Sequence, residues 1–297
     1  MKKKLKISIA IPTYEAGESL VVTLRSIYNQ TFYSEIDKIY VAIDGNKIKS
    51  KIMNKIKNPK LSLLHYKRRE GQAQRINNLF KKSSSDILVL TNDDIYLTNT
   101  LVEEIVRTYN GDLILGNVLG IKPQTFIERL VLVGANINKR VAESWNSGDN
   151  YLSCNGRLII LSKKLYKRIE LPKTIWNSDA YIYFYAKKLK SEVNIGKELK
   201  AYFRAPSNLE EHIKQSDKFQ MSREENMSYF KEDISKQYDI PKALKFKSLI
   251  LEFLLNPVIT FCYVLIYIYT RTHRKYYNIQ HKDFWETDKT TKQLKIS

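Results

Sequence analysis

The sequence predicts an α/β fold built on a doubly wound, mostly parallel β-sheet. Three observations lead to this fold class. Segments typical of strands alternate with segments typical of helices along the first part of the chain, and short polar stretches follow several of the strands. The third observation is size, because 297 residues, 43% of them hydrophobic, are ample for one large core.

The first half of the chain is expected to form the parallel part of the sheet. Apolar and β-branched runs predict four strands, "LKISIAIPTY", "KIYVAID", "LSLLHY" and "DILVL". Segments of helical character lie between them, "ESLVVTLRSIYNQ", "KIKSKIMNKIK" and "GQAQRINNLFKKSS". An amphipathic helix is expected directly after Asp94. In such sheets, ligands bind outside the carboxyl ends of the strands.

The second half of the chain is less regular. "GDLILGNVLG" predicts a strand, "PQTFIERLVLVGANI" a helix, and "YLSCNGRLIILSKKLYKRI" a strand that runs into a helix. Two more helices are predicted at "SDAYIYFYAKKLK" and "SNLEEHIKQSDKFQMSREENMSYF". We expect residues 1–235 to form one domain with halves at 1–110 and 111–235.

A hydrophobic segment from Leu249 to Tyr269 lies within the C-terminal region, residues 236–297. Its length is close to the ~20 residues of a membrane-spanning helix, and Lys and Arg flank both ends. Glu252 and Pro257 leave two alternatives open, a buried core helix or a helix in the membrane interface, because a charge within a span is costly. We expect a hydrophobic helix that associates with the membrane, followed by a polar, loosely ordered tail from Asn278.

The chain is strongly basic, with a net charge of +19 spread along the sequence. Such a charge suits anionic lipid, nucleic acid or phosphorylated substrates. A nucleic-acid-binding protein would concentrate basic and aromatic residues on one element, so nucleic acid is not the expected partner. The two cysteines, Cys154 and Cys262, exclude a disulfide framework. The first apolar run is short and meets Pro12, so it predicts a strand rather than a signal peptide, and we expect the main domain in the cytoplasm.

Two adjacent carboxylates stand where the strand "DILVL" ends. Asp93 and Asp94 follow Asn92, and a carboxylate in this position faces a crevice rather than a core. Neighbouring carboxylates repel each other unless a cation or hydrogen-bond donors hold them. Their oxygens suit Mg²⁺ or Mn²⁺, which neutralise a diphosphate. The alternative is an Asp-rich turn in which Asp94 caps the helix that follows.

Four motifs occur in a fixed order along the chain. They are Pro12-Thr13-Tyr14-Glu15, Asp44-Gly45-Asn46, the stretch from Gly71 to Asn77, and Asn92-Asp93-Asp94. With this set, the sequence resembles the family-2 glycosyltransferases of GT-A fold over residues 5–235. The resemblance implies a Rossmann-like nucleotide-binding half at 1–110 and an acceptor half at 111–235. It departs from the family pattern at Glu15, where Asn is common, at Asn92, where an acidic residue is usual, and at Ser178, where Glu is usual.

The resemblance implies that the first half binds a nucleotide-diphosphate sugar, with a UDP-sugar as the first choice. The residues expected to bind it are Pro12, Thr13, Tyr14, Glu15, Asp44, Gly71, Arg75, Asn92 and Asp93. Tyr14 would stack on the base, Asp44 would accept from ribose hydroxyls or the base N–H, and Arg75 would face the diphosphate. The alternatives are that Tyr14 is a half-buried packing residue, that Asp44 forms a simple turn, and that Arg75 lies on a solvated helix face. Asp93, with Asp94 as second ligand, would hold Mn²⁺ or Mg²⁺.

The resemblance implies that the second half contains the catalytic base. Asp179 would take the proton of the acceptor hydroxyl in an inverting transfer. The residues expected on the acceptor side are Asn155, Gly156, Ser178, Gln215 and Lys218. The last two belong to a degenerate Q-x-x-R-W motif, in which Lys218 replaces Arg. The acceptor would be a glycan or a lipid-linked one.

Three rival interpretations remain open at this point. A nucleotidyltransferase would show a Gly-rich basic loop after the first strand, where "PTYEAGES" has no Lys or Arg. A glycosyltransferase-like scaffold that has lost catalysis is suggested by Asn92 and Ser178. A nucleic-acid-binding protein is suggested by the net charge.

Overall fold

One mixed sheet of eight strands forms the centre of the computed structural model, which describes residues 5–14, 16–45, 48–230, 234–272 and 289–294. The strands are β1 (Ile7–Thr13), β2 (Ile36–Asp44), β3 (Leu61–Tyr66), β4 (Ile87–Leu90), β5 (Ile95–Leu97), β6 (Leu113–Gly120), β7 (Ile159–Ser162) and β8 (Val193–Phe203). Their order across the sheet is β3-β2-β1-β4-β7-β6-β8-β5. The four strands predicted in the first half are β1 to β4.

The two halves of the sheet differ in strand direction. β1 pairs in parallel with β2 and β4, and β2 pairs in parallel with β3, which confirms the predicted parallel half. Beyond β4 the sheet is mixed, because β7 is antiparallel to β4 and β6, and β5 is antiparallel to β8. β6 and β8 are parallel. The prediction of a mostly parallel sheet therefore holds for the first half only.

Helices cover both faces of the sheet. The helices are α1 (Glu18–Tyr28), α2 (Ser50–Ile56), α3 (Gln72–Lys82), α4 (Leu101–Thr108), α5 (Phe126–Ser144), α6 (Lys163–Tyr166), α7 (Ser178–Lys188), α8 (Leu209–Tyr229), α9 (Lys242–Leu255) and α10 (Pro257–Thr272). Successive strand side chains point to opposite faces. Ile9 and Val41 therefore share a core with α1, α2 and α4, whereas Ala10 and Ala42 share a core with α3 and α7. The doubly wound arrangement is confirmed.

The chain does not enter a helix directly after Asp94. Strand β5 comes first and pairs with β8, and α4 begins only at Leu101. The backbone N–H of Ile95 donates to Thr23 Oγ1 at 3.1 Å, and that of Leu97 donates to Ser26 Oγ at 3.2 Å. These bonds to α1 hold the segment extended, so the alternative that Asp94 caps the following helix is wrong.

The hydrophobic segment from Leu249 to Tyr269 lies in two helices rather than in the single predicted one. α9 ends at Leu255 and α10 begins at Pro257, and Asn256 between them has φ −143° and ψ 67°, outside the helical region. Pro257 causes the break, because it has no N–H to donate and disfavours helical geometry in the preceding residue. Within the part of the chain that the structure describes, no helix combines the length and the apolar character needed to cross a bilayer.

α9 and α10 pack against α5 on one side and expose the other. Glu252 on α9 is buried and forms an ion pair with Arg140 on α5. Tyr263 on α10 approaches Gly134 so closely that a Cβ on Gly134 would lie 2.5 Å from its ring. The charge that argued against a membrane span is thus neutralised inside the protein. More than half of the surface is exposed for Phe246, Leu254, Leu255, Val258, Phe261, Leu265 and Ile268.

Part of the predicted loose tail is packed against the main domain. Residues 289–294, here called the C-terminal segment, are described, whereas the rest of the predicted polar tail lies outside the described residues. Thr291 and Leu294 of this segment are buried. Residues 289–294 therefore lie next to the end of β4.

Candidate active site

A cleft of about 1620 Å³ opens at the carboxyl ends of β1, β2 and β4. The predicted residues that line it are Pro12, Thr13, Tyr14, Asp44, Gly71, Arg75, Asn92, Asp93, Asp94, Asn155, Gly156, Asp179, Gln215 and Lys218. Ser178 is buried next to Asp179 and does not line the cleft, and Glu15 lies outside the described residues. Residues predicted for the donor and for the acceptor thus border the same space, which is the usual location of a ligand in such sheets.

Asp44, at the end of β2, organises the loop that precedes α3. Its Oδ1 accepts hydrogen bonds from the backbone N–H of Glu70 at 2.9 Å and from Arg75 Nε at 2.7 Å. Its Oδ2 accepts from the backbone N–H of Gly71 at 2.8 Å, and Gly71 has a φ of +86°, which glycine adopts without strain. Asp44 therefore fixes the backbone at the start of α3, and its contact with the nucleotide stays a prediction.

Arg75 is fully buried, so the alternative of a solvated helix face is wrong. Besides Asp44, its guanidinium contacts Glu70 Oε2 at 2.9 Å and the backbone carbonyl of Arg68 at 2.8 Å. The guanidinium also lies 4.1 Å from the centroid of the Tyr66 ring. A charge this far from water is stable only when paired, and here it is paired with two carboxylates.

Tyr14 is half-buried at the end of β1, and one face of its ring is covered. The guanidinium of Arg69 lies 3.9 Å from the ring centroid. A stacked base would therefore meet either the opposite face or a displaced Arg69. Sequence reasoning missed Arg69, although the basic run "KRRE" just before Gly71 could have indicated a cation near the donor.

The acidic rim, Asn92 to Asp94, is held by residues from two distant parts of the chain. Asp93 is buried, and its Oδ2 accepts hydrogen bonds from Thr13 Oγ1 on β1 and from Lys292 Nζ at 2.5 Å. Asp94 Oδ2 accepts from Thr291 Oγ1 at 3.1 Å. Sequence reasoning did not find the two residues of the C-terminal segment.

Burial and mutual repulsion act on the two carboxylates of the rim. Desolvation raises the pKa of Asp94, and the neighbouring charge of Asp93 raises it further. The positive charges of Lys292 and Arg157 and the Thr291 hydroxyl oppose this shift. A cation that reaches the rim would therefore relieve the repulsion between the two carboxylates, in competition with the positive charges already there.

The donor set of the rim fits a magnesium-type cation. The side chains of Asn92, Asp93 and Asp94 offer the oxygen ligands that Mg²⁺ and Mn²⁺ prefer. Among the described residues, no group of three or more His, Cys, Asp or Glu side chains could hold a metal ion. A cation here would therefore have few protein ligands and would share its coordination with substrate phosphates, as Mg²⁺ commonly does.

Asp179 lies in the first turn of α7, across the cleft. The side chain of Asn177 caps this helix by accepting from the backbone N–H of Ala180 at 3.2 Å. A Cβ on Gly156 would lie only 2.3 Å from Asp179 Oδ1, so the carboxylate rests directly on the glycine backbone. Ser178 Oγ donates to the same Oδ1 at 3.2 Å. Asp179 is half-buried and lines the cleft, and its predicted role as a base stays a prediction.

α8 supports this part of the cleft. Gln215 and Lys218 line the space from α8, and the neighbouring Phe219 is 59% exposed. Glu225, nearer the C-terminal end of α8, accepts hydrogen bonds from the backbone N–H groups of Trp176 at 2.8 Å and Asn177 at 3.2 Å. Glu225 therefore ties α8 to the start of α7, a role that the sequence did not indicate.

Comparison with known families gives one match that covers more than half of the chain. Residues 8–168 match the model of glycosyl transferase family 2. Hyaluronan synthase of Streptococcus pyogenes is 26% identical over an alignment that covers 37% of this chain and 28% of the synthase. The chain therefore spans little more than a quarter of the length of that relative.

Solved structures share the fold at low sequence identity. The mannosyltransferase PcManGT from Pyrobaculum calidifontis, solved with GDP-Man and Mn²⁺, has a TM-score of 0.57 and 13% identity, covering 94% of this chain and 78% of its own. TarS of S. aureus, residues 1–349 with UDP-GlcNAc, has a TM-score of 0.51 and 17% identity, covering 67% of this chain and 58% of its own. The predicted GT-A type of fold is confirmed by these likenesses.

Proposed function

Because the chain belongs to glycosyl transferase family 2, we propose that it transfers a sugar from a nucleoside diphosphate sugar to a hydroxyl of a glycan or lipid-linked acceptor, with inversion. The observation that carries this proposal is the single cleft bordered by the acidic rim, Asn92 to Asp94, and by Asp179. Sugar transfer from a nucleoside diphosphate needs a site for the charged leaving group and a base for the attacking hydroxyl, and the two sets of carboxylates suit these two tasks.

The donor occupies the side of the cleft formed by β1, β2 and α3. Tyr14 supplies an aromatic ring for the base, and Asp44 supplies carboxylate oxygens near the ribose. Asp93, with Asp94 and Asn92, would hold Mn²⁺ or Mg²⁺, which would neutralise the charge of the departing diphosphate. UDP is the nucleoside diphosphate that we would test first, because TarS was solved with UDP-GlcNAc. GDP is the second, because PcManGT was solved with GDP-Man.

Asp179 acts as the general base. The acceptor hydroxyl attacks the anomeric carbon from the face opposite the diphosphate and gives its proton to the Asp179 carboxylate. The bond between the anomeric carbon and the diphosphate oxygen breaks, and its electron pair leaves with the diphosphate. Gly156 keeps Asp179 at the cleft surface, since a side chain at position 156 would displace the carboxylate.

The outer side of α9 and α10 binds a membrane surface and so brings the enzyme close to a lipid-linked acceptor on the cytoplasmic side. The proposal rests on seven large apolar side chains that expose more than half of their surface. Lys242, Lys245, Lys247 and Arg271 are exposed at the ends of the same two helices and would contact anionic headgroups. This arrangement lies in the membrane interface and does not require a helix that crosses the bilayer.

The test measures release of nucleoside diphosphate by the full-length protein from UDP-GlcNAc, UDP-glucose and GDP-mannose, each with and without Mn²⁺. One donor should be consumed in the presence of Mn²⁺. Asp179→Asn should lower kcat by about 10²- to 10⁴-fold, the usual contribution of a general base, without changing the affinity for the nucleoside diphosphate. Asp37→Asn, an exposed aspartate near the opposite end of β2, is the matched control. Full turnover by Asp179→Asn would remove the assignment of the base.

A further inference from the structure

Lys292 occupies the position at which a cation would neutralise the acidic rim. Its Nζ lies 2.5 Å from Asp93 Oδ2, and only 16% of its side-chain surface is exposed. Thr291, its neighbour, bonds Asp94. A divalent ion on Asp93 Oδ2 and an ammonium group on the same oxygen would repel each other, so both cannot occupy it together.

The backbone of the C-terminal segment is fastened on both sides of Lys292. Arg204 Nη1 donates to the carbonyl of Gln293 at 2.6 Å, and Arg204 is itself buried and paired with Glu128 at 2.7 Å. On the other side, Glu211 accepts from the hydroxyl of Thr290 and from its backbone N–H. These anchors do not involve the Lys292 side chain, so the ammonium group can change partners while the backbone stays in place.

The chemistry of lysine suits such an exchange. Its ammonium group is a point charge on a flexible four-carbon stem, and it can move between two anions without the fixed geometry that arginine requires. A metal-bound diphosphate would introduce new negative charge next to Asp93. The nearest destination for the displaced ammonium group is therefore the diphosphate itself.

Resting on the proposed function, we propose that Lys292 is a donor-binding residue whose ammonium group pairs with Asp93 before the donor binds and moves to the donor's diphosphate when a divalent cation takes Asp93. The C-terminal segment then forms part of the donor site. Lys292 competes with the metal in the unliganded protein and supports the metal in the complex with donor.

Two titrations of the full-length protein test both halves of this inference. The first measures Mn²⁺ binding without nucleotide, and Lys292→Met should bind Mn²⁺ more tightly than the wild type by about tenfold. The second measures UDP binding at saturating Mn²⁺, and Lys292→Met should bind UDP about tenfold more weakly. Lys292→Arg keeps the charge and should retain most of the wild-type affinity for UDP. Lys289→Met removes the same charge from an exposed position of the same segment and should change neither affinity.

The inference is overturned if Lys292→Met leaves either affinity unchanged while its melting temperature without ligand matches that of Lys289→Met. If Lys292→Arg retains its affinity for UDP, the lower affinity of Lys292→Met is due to the lost charge and not to a folding defect. If the wild type binds neither UDP nor GDP, CDP or dTDP with Mn²⁺, the proposed function fails and this inference falls with it. If the wild type binds one of these nucleotides and Lys292→Met binds it equally well, only the inference about Lys292 fails.

Discussion

Two buried carboxylates on the rim of the sheet, Asp44 and Asp93, are each paired with a cation, yet the two pairs are built differently. Arg75 lies 31 residues from Asp44 in sequence, is fully buried and contacts Asp44 at 2.7 Å. Lys292 lies 199 residues from Asp93 and keeps part of its side chain exposed. The first pair belongs to one compact loop and helix, whereas the second joins the C-terminal segment to the end of β4.

The difference indicates which pair is structural and which is exchangeable. A guanidinium group has a rigid planar set of donors, and Arg75 uses them on Asp44, Glu70 and the carbonyl of Arg68 at once. Lys292 carries a point charge on a flexible stem, and 16% of its side-chain surface is exposed, against 1% for Arg75. We therefore expect loss of the first cation to affect folding, and loss of the second to affect ligand binding.

The largest expected effect is that of Arg75→Met on stability. The substitution leaves the Asp44 carboxylate buried without its guanidinium partner, which typically costs about 3–5 kcal/mol of the free energy of unfolding. Urea denaturation of the full-length protein measures this loss. The control is Arg68→Met, an exposed position in the same loop whose carbonyl still accepts from Arg75, and it should change stability by less than about 0.5 kcal/mol. Equal losses for the two variants would show that the Asp44 pair is not structural.

Asp93→Asn should have the opposite signature, a loss of transfer with little loss of stability. Asn keeps an oxygen that can accept from Thr13 but removes the charge that a divalent cation needs. We expect Mn²⁺-dependent turnover to fall by about 10²- to 10³-fold, the size seen when one electrostatic group of an active site is removed. A steady-state assay beside a urea titration checks both parts. Unchanged turnover in Asp93→Asn would remove the rim from the donor site.

Local patterns predicted the elements near Asp44 and failed for Lys292, the cation that pairs with Asp93. Strands β1 to β4 and helices α1 to α3 follow from apolar periodicity, and Asp44 follows from its place at the end of a buried strand. No local pattern marks Lys292, because it lies in a polar tail and reaches Asp93 through tertiary folding alone. β5 is too short for a periodic signal, and β8 alternates with polar residues such as Lys197 and Lys200, so both were missed.

The same limit applies to the C-terminal helices. Hydropathy alone predicted one helix over residues 249–269, although Pro257 indicated a break within it. The partner of Glu252 could not be deduced from sequence, because Arg140 lies 112 residues away on α5. Residue types therefore predicted which side chains border the cleft, and only the three-dimensional structure identified the partners of each charge.

Lys292→Met should change stability by less than about 1 kcal/mol, in contrast to Arg75→Met. Thr13 Oγ1 still donates to Asp93 Oδ2 in this variant, and Lys292 is 16% exposed where Arg75 is 1% exposed, so water can replace the lost ammonium group. Urea denaturation without metal or nucleotide measures this, with Lys289→Met as the matched control. A loss as large as that of Arg75→Met would mean that the C-terminal segment is a structural clamp, and that its lysine is not free to change partners.

The smallest expected effect concerns a third carboxylate, Glu225, which accepts from the backbone N–H groups of Trp176 and Asn177. Desolvation raises its pKa above 4.5, and these hydrogen bonds and the charge of Lys218 only partly oppose the shift. A carboxyl group with a raised folded-state pKa binds its proton more tightly in the folded protein than in the unfolded one. Its contribution to stability is fully present below the unfolded pKa and is lost as the pH rises through the folded pKa.

Glu225→Gln cannot titrate and isolates this contribution. As the pH rises from 4.5 through the folded pKa, the free energy of unfolding of the wild type should fall relative to that of Glu225→Gln, and the difference should then level off. The exposed neighbour Glu224→Gln should give a flat difference over the same range. A flat difference for Glu225→Gln as well would mean that backbone donors compensate the half-buried Glu225 carboxylate as fully as a guanidinium group compensates Asp44. The contrast between cation-paired and amide-held carboxylates would then no longer hold.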